Sequence, residues 1–222
     1  MCCTPVPPWW GDVEETRPVV HVTQGRDGGV ADLEQLVIPT VRALAGEQVL
    51  VVVTTAPHLA STLHQQYRGA LPANVRVAEW LPDDQLMPHL AALVTDGSAG
   101  SVLSALRHGV PMVVAADSPV RAEMAARVAR WGAGMRLRAG RRRPFLIRHA
   151  VRQVLDDNRF WAAARRVQAE LGRLDEPPHA YDAGMDQPAL TPRLRRARPA
   201  PSSRGHTERG AATGPSLVPV SP

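Results

Sequence analysis

From Pro18 onward, short apolar runs rich in β-branched residues alternate with stretches whose apolar residues recur at helical spacing. Val19 to Thr23 reads as a strand. It is followed by the polar loop Gln24-Gly25-Arg26-Asp27-Gly28-Gly29 and a helix over Asp32 to Leu44, where Leu33, Leu36, Val37, Val41 and Leu44 fall on one face. Pro39 inside that run predicts a kink or a break. Gln48 to Thr54 is continuously apolar apart from its ends, as a strand covered on both faces requires. A helix over Pro57 to Tyr67, a strand over Asn74 to Ala78, a turn at Trp80, a short helix and a buried strand over Ala91 to Thr95 come next. The loop Asp96-Gly97-Ser98-Ala99-Gly100-Ser101 then leads into a helix carrying Val102, Leu103, Ala105 and Leu106. Strands over Met112 to Ala115 and Gly134 to Leu137 complete the alternation, and two amphipathic helices, Pro144 to Leu155 and Asn158 to Leu174, are expected to cover one sheet face.

Strands separated by helices imply right-handed crossovers and a Rossmann-like, doubly wound parallel α/β sheet. Ligands of such sheets bind beyond the carboxyl ends of the strands, which is where the loops at Gly25, Trp80 and Gly97 would face one crevice. The Gly97 loop has a physical use of its own. Small residues let backbone approach a ligand, and the unpaired N–H groups of a first helical turn favour negative charge, so a phosphate is its natural guest. The domain is expected to span residues 18–175. Residues 1–17, with Pro5, Pro7, Pro8 and the pair Trp9-Trp10, read as a linker remnant, and the Pro/Arg/Ser-rich residues 176–222 lose apolar periodicity and are expected to be disordered.

Composition narrows the classes. All 26 basic residues are arginine, the net charge is +5 and aromatic residues make up only 4% of the chain. The arginines are interspersed with acids along amphipathic helices, with no stacking-aromatic pattern, so nucleic-acid binding is not expected. Arg141-Arg142-Arg143 reads as a solvated turn. The two cysteines, Cys2 and Cys3, are adjacent and cannot staple the fold, which suits a reducing, cytoplasmic compartment. No run of about 18 apolar residues calls for a membrane span, and the first residues show no leader pattern. A dehydrogenase is disfavoured, because no GxGxxG opens the first crossover with an acid about 20 residues on.

The order of motifs is similar to that of the nucleotide-sugar-binding domain of GT-B glycosyltransferases. Trp80-Leu81-Pro82, the strand ending in Val94-Thr95, the Gly97 loop and His108-Gly109-Val110-Pro111-Met112 carry the resemblance, with Pro18-Val19-Val20-His21-Val22-Thr23-Gln24-Gly25 upstream and Ala125-Ala126-Arg127-Val128 to Gly132-Ala133-Gly134 downstream. It covers roughly residues 9–175 and is nearest to the bacterial branch that glycosylates macrolides and other natural products, itself similar to UDP-glycosyltransferases. The resemblance implies a UDP- or dTDP-linked sugar as donor substrate, no cofactor and no metal. It also implies that Trp80 stacks on the base and that Leu81, or the Val77 backbone, meets the base edge, while Gly97, Ser98, Gly100 and Ser101 surround the diphosphate and Gly25 belongs to the donor nucleotide site.

Three departures from the resembled pattern follow. Asp96 stands where a phosphate-contacting histidine is common, and an ionised carboxylate there would repel a phosphate. Ser104 replaces a ribose-binding glutamate, and Val120-Arg121 replaces an Asp-Gln pair that holds sugar hydroxyls, with Asp117 three positions early. The general base of the resembled enzymes belongs to an N-terminal acceptor domain, so no catalytic residue is assigned among His21, His58, His64, His89 and His108; His108 is expected to cap a helix. The expected protein is a donor-binding half, either a truncated gene product or one served by an acceptor domain in trans, that hands its sugar to a small-molecule hydroxyl such as that of a macrolide or phenolic aglycone. The alternative is a degenerate, non-catalytic nucleotide-binding or auxiliary protein.

Overall fold

A computed structural model of the chain describes residues 7–15, 17–24, 29–137 and 143–175. Within these, β1 (Val19–Thr23), β2 (Leu50–Thr54), β3 (Val75–Ala78), β4 (Leu90–Thr95), β5 (Met112–Ala115) and β6 (Gly134–Leu137) form one sheet. Its order is β3-β2-β1-β4-β5-β6 and every pair is parallel. Parallel strands need long return crossovers, which cover both faces, and the strands are accordingly apolar on both sides. Val20, Val22, Val51, Val53 and Val94 belong to one core, while Val19, Leu50, Val52, Leu93 and Met112 belong to the other.

The first core is closed by a helical run consisting of α1 (Val30–Asp32), a wide π turn (Leu33–Val37) and α2 (Ile38–Leu44), together with α3 (Pro57–Gln66) and α7 (Pro144–Asp156). The second is closed by α4 (Asp83–Leu86) with the 3-10 turn Met87–His89, by α5 (Ala99–Arg107), α6 (Pro119–Trp131) and α8 (Asn158–Asp175). The last two helices therefore cover opposite faces, not one. Asp157, in extended backbone between them, redirects the chain and its Oδ1 accepts the Arg159 N–H at 3.0 Å. α8 then lies across α5 and α6, where Ala164 is fully buried.

Pro39 deforms the first helical run without ending it. It lacks an N–H and its ring crowds the preceding turn, which is where the helix widens, and the Thr40 hydroxyl donates to the Leu36 carbonyl at 2.6 Å. β2 and β3 begin later than their apolar patterns predict. The Asn74 side-chain amide donates to the carbonyls of Leu44 at 2.9 Å, Glu47 at 3.3 Å and Val49 at 3.0 Å, gathering the residues before both strands into a clamp. At the N-terminus, Val13 is buried, Trp9 and Trp10 pack against the second core, and the Arg76 guanidinium donates to Asp12 at 2.6 Å. Residues 7–15 are thus tied to the sheet. The basic residues Arg141 and Arg142 and the segment 176–222 lie outside the described residues.

Gly134 is a packing necessity at the edge of this sheet. A Cβ there would collide with the backbone carbonyl of Met112, the residue it faces across β5 and β6. Gly134→Ala should therefore cost about 3 kcal/mol of unfolding free energy, at the upper end of overpacking penalties, measured by urea denaturation. A loss below about 0.5 kcal/mol would mean that β6 can move away from β5 freely.

Candidate functional site

The strand order reverses between β1 and β4, so the loops that follow these two strands diverge and open a crevice. A cavity of about 720 Å³ occupies it. β1 contributes His21 and Thr23, the end of β2 and the residue after it contribute Thr54 and Thr55, the turn after β3 contributes Glu79, Trp80 and Leu81, and the cap and first turn of α5 contribute Ser98, Gly100 and Ser101. Asp83 and Met87 complete one wall. Trp80 is 51% exposed, which places a large aromatic face against the cavity and removes core packing as the reason for a tryptophan here. Leu81, by contrast, is buried and anchors the turn in the second core.

Helix α5 begins at Ala99, three residues earlier than the apolar spacing predicts, so Gly100 and Ser101 belong to its first turn and the loop proper is Asp96-Gly97-Ser98. The cause is local. Gly97 takes φ +90°, and a Cβ there would meet Val114 Cγ1 at 2.9 Å and the Arg121 carbonyl oxygen at 3.2 Å, so only glycine turns the chain this sharply. Ser98 then occupies the N-cap position. Its hydroxyl does not cap the helix; it lies 2.7 Å from the Ser101 hydroxyl instead. The Val102 N–H bonds the Ser98 carbonyl at 3.1 Å, leaving the amides of Ala99, Gly100 and Ser101 without an intrahelical acceptor. A Cβ at Gly100 would meet nothing within 4 Å, so the chain's own packing does not require a glycine there. Among the described residues no arginine lines the cavity, and the arrangement suits an anion held by backbone N–H groups, hydroxyls and the α5 dipole.

The structure separates the sequence-predicted residues into two groups. Trp80, Leu81, Ser98, Gly100 and Ser101 line the cavity together. Asp96 is buried behind the loop, where its Oδ1 accepts the Ser98 N–H at 2.9 Å and the Thr95 hydroxyl at 3.2 Å. Gly97, Ser104, Asp117, Val120 and Arg121 are not among the lining residues; Val120 is 82% exposed, and the Arg121 guanidinium lies 3.2 Å from Asp117 and 3.1 Å from Asp96. Gly25 falls outside the described residues. His108 closes α5, its Nδ1 2.9 Å from the Ser104 carbonyl oxygen, as a capping residue should.

Sequence reasoning assigned no site role to His21, Thr23, Thr54, Thr55, Glu79, Asp83 or Met87, and of these His21 has the most distinctive chemistry. The signal was a histidine inside the strand Val19-Val20-His21-Val22-Thr23, at the same parity as Thr23 and hence on the face that ends in the crevice. Its Nε2 is 2.8 Å from the Thr54 hydroxyl oxygen, while Nδ1 is buried without a partner among the described residues. Burial lowers the His21 pKa from 6.5 to about 4, partly opposed by the Asp83 carboxylate, so the imidazole is neutral in the folded protein. Among the described residues, no group of three or more His, Cys, Asp or Glu side chains could hold a metal ion. No helix among them is long and apolar enough to cross a membrane.

Comparison with known proteins gives the chain a family and a set of structural relatives. Residues 45–179 match the family model of the erythromycin biosynthesis protein CIII-like C-terminal domain. The chain is 46% identical over 176 residues to 4'-demethylrebeccamycin synthase of Lentzea aerocolonigenes, covering 79% of this chain and 40% of that protein. It is 33% identical over 165 residues to UDP-glucosyltransferase A1 of Starmerella bombicola, covering 74% of this chain and 35% of that protein. Among solved structures it resembles the glycosyltransferase VinC in complex with dTDP, with a TM-score of 0.64 at 28% identity over 77% of this chain and 41% of VinC. The chain therefore spans 40% or less of the length of these two relatives.

The state of His21 has a pH signature. Below pH 6.5 the unfolded chain takes up a proton that the folded chain refuses until about pH 4, so stability is present above 6.5 and falls as the pH drops through that window. The loss should reach at most about 3 kcal/mol and should be absent from His21→Gln, so urea unfolding of both proteins at about pH 7 and about pH 4.5 should give diverging stabilities. Parallel losses in the two proteins would show that His21 titrates normally.

Proposed function

This chain belongs to the family of the erythromycin biosynthesis protein CIII-like C-terminal domain, and from that premise we propose that its cavity holds the nucleotide of a UDP- or dTDP-linked sugar, as the donor half of a glycosyltransferase. The observation that carries this reading is the pairing, across one cavity, of the exposed Trp80 face with the unpaired amides at the start of α5. A nucleoside diphosphate presents a flat base at one end and an anion at the other, and the two surfaces match those ends. That VinC was solved with dTDP supports a nucleoside diphosphate as the ligand.

The division of labour then follows from the residues. Trp80 stacks on the base, Leu81 fixes the turn that presents Trp80, and Ser98, Gly100 and Ser101 receive the diphosphate. This stabilises the leaving group, because the charge that develops on the departing nucleotide falls at a helix N-terminus. Proton removal from the acceptor is a separate requirement. His21 is only 4% exposed at the cavity wall and its Nε2 already meets the Thr54 hydroxyl, which makes it a poor candidate for meeting an acceptor hydroxyl. The acceptor, a small-molecule hydroxyl such as that of a macrolide or phenolic aglycone, and the base that activates it are assigned to a second domain facing the crevice, in cis or in trans.

Trp80 gives the test. Trp80→Ala should weaken dTDP or UDP binding by about 1–3 kcal/mol in calorimetry while leaving the thermal midpoint nearly unchanged, since a half-exposed ring contributes to the ligand more than to the core. Undiminished binding by a folded Trp80→Ala protein would remove the base from this wall.

A further inference from the structure

We propose that Asp96 is a positioning residue whose buried carboxylate braces the turn presenting α5 to the ligand, while Arg121 supplies the charge that keeps this carboxylate from opposing an anion. The inference rests on the reading of the cavity as a nucleoside diphosphate site. It reverses the expectation that an aspartate at this position meets and repels the phosphate.

Asp96 is 1% exposed and is not among the residues lining the cavity. Its two oxygens do different things. Oδ1 accepts the Ser98 N–H at 2.9 Å and the Thr95 hydroxyl at 3.2 Å, and the Gly97 N–H donates to the same Thr95 hydroxyl at 3.3 Å. The loop is thereby fixed by the side chains of Thr95, the last residue of β4, and of Asp96 itself. Oδ2 faces the Arg121 guanidinium, with Nη2 at 3.1 Å, in an ion pair whose angle falls short of a hydrogen bond.

Arg121 is held for this task. It lies in the first turn of α6, where the Ser118 side chain accepts its N–H at 3.4 Å, and Nη1 is 3.2 Å from Asp117 Oδ1. Its backbone also closes on the loop, since the Arg121 carbonyl oxygen and Cβ are two of the three atoms nearest a side chain placed on Gly97. Helix α6 and the β4–α5 loop thus interlock through both charge and shape. A carboxylate buried without a partner is costly, and one lying just behind three anion-binding amides would subtract from their field. Burial raises the Asp96 pKa, while the Ser98 N–H and Arg121 favour the ionised form. The pair leaves Ser98 pinned and sets a positive charge directly against the Asp96 carboxylate, while Asp117, the second carboxylate on Arg121, lies off the cavity wall.

The test is dTDP affinity, by calorimetry on the folded full chain, for four proteins beside the unaltered one. Asp96→Asn keeps an oxygen for the Ser98 N–H and should bind within about threefold of the unaltered chain, while Asp96→Ala should bind about tenfold more weakly. Arg121→Ala should also lose about tenfold, and adding Asp96→Asn to it should recover binding to within about threefold, a rescue that general destabilisation would not produce. Tightening of about tenfold in Asp96→Asn would show direct repulsion and overturn the proposal, as would unchanged affinity in Arg121→Ala. If no protein binds dTDP, the nucleotide reading fails by itself and amide exchange at Ser98 decides the brace. Exchange about tenfold faster in Asp96→Ala would support it, and unchanged exchange would overturn it.

Discussion

A sheet whose six strands are all parallel leaves the chain one way to continue at every strand end, a crossover back to the starting edge. That constraint organises everything else here. It buries both faces, so the strands consist largely of Val, Leu and Ala. It sends the connections of β1, β2, β3 and β4 out at the same edge, and it leaves a crevice where the order turns from β1 to β4. The cavity is a consequence of connectivity before any side chain is chosen. The side chains then specialise it, with Trp80 raised on the turn after β3 and the α5 amides delivered by Gly97 after β4.

The electrostatics of the cavity are economical. Glu79 and Asp83 stand on its wall, His21 is neutral, and among the described residues no arginine lines it, so the attraction these residues offer an anion comes from oriented backbone. Such attraction depends on geometry more than on charge number, because dipolar groups act over a turn or less. The investment in fixing the Asp96-Gly97-Ser98 loop therefore makes physical sense. An arginine in the cavity could tolerate a displaced loop, whereas three amides cannot.

Much of this was legible in the sequence because burial on both faces leaves a strong mark. The runs at Val19, Met112 and Gly134 gave strands with the bounds observed, and the crevice followed from the strand–helix alternation. What failed had specific causes. Gly100 and Ser101 look like loop residues by composition, yet they are helical because Gly97 and Ser98 already complete the turn. The placement of α7 and α8 on opposite faces depends on the extended residue Asp157, and amphipathicity reports that a helix has a buried side without saying which layer receives it. His21 hid inside an apolar strand, and the Asp96–Arg121 pair joins residues that are distant in sequence and meet only through the packing of α6 on the loop. Relatives named as glycosyltransferases agree with the fold-level reading, while the roles of single residues come from the geometry.

The most direct test of the account is an amide-resolved NMR titration of the chain with dTDP, because it asks which atoms the ligand meets. The account predicts that the largest shifts fall on the amides of Ser98 to Ser101 and on the Trp80 indole, with Asp117 and Val120 nearly silent. Shifts concentrated elsewhere, with the start of α5 and Trp80 unmoved while dTDP binds, would contradict it.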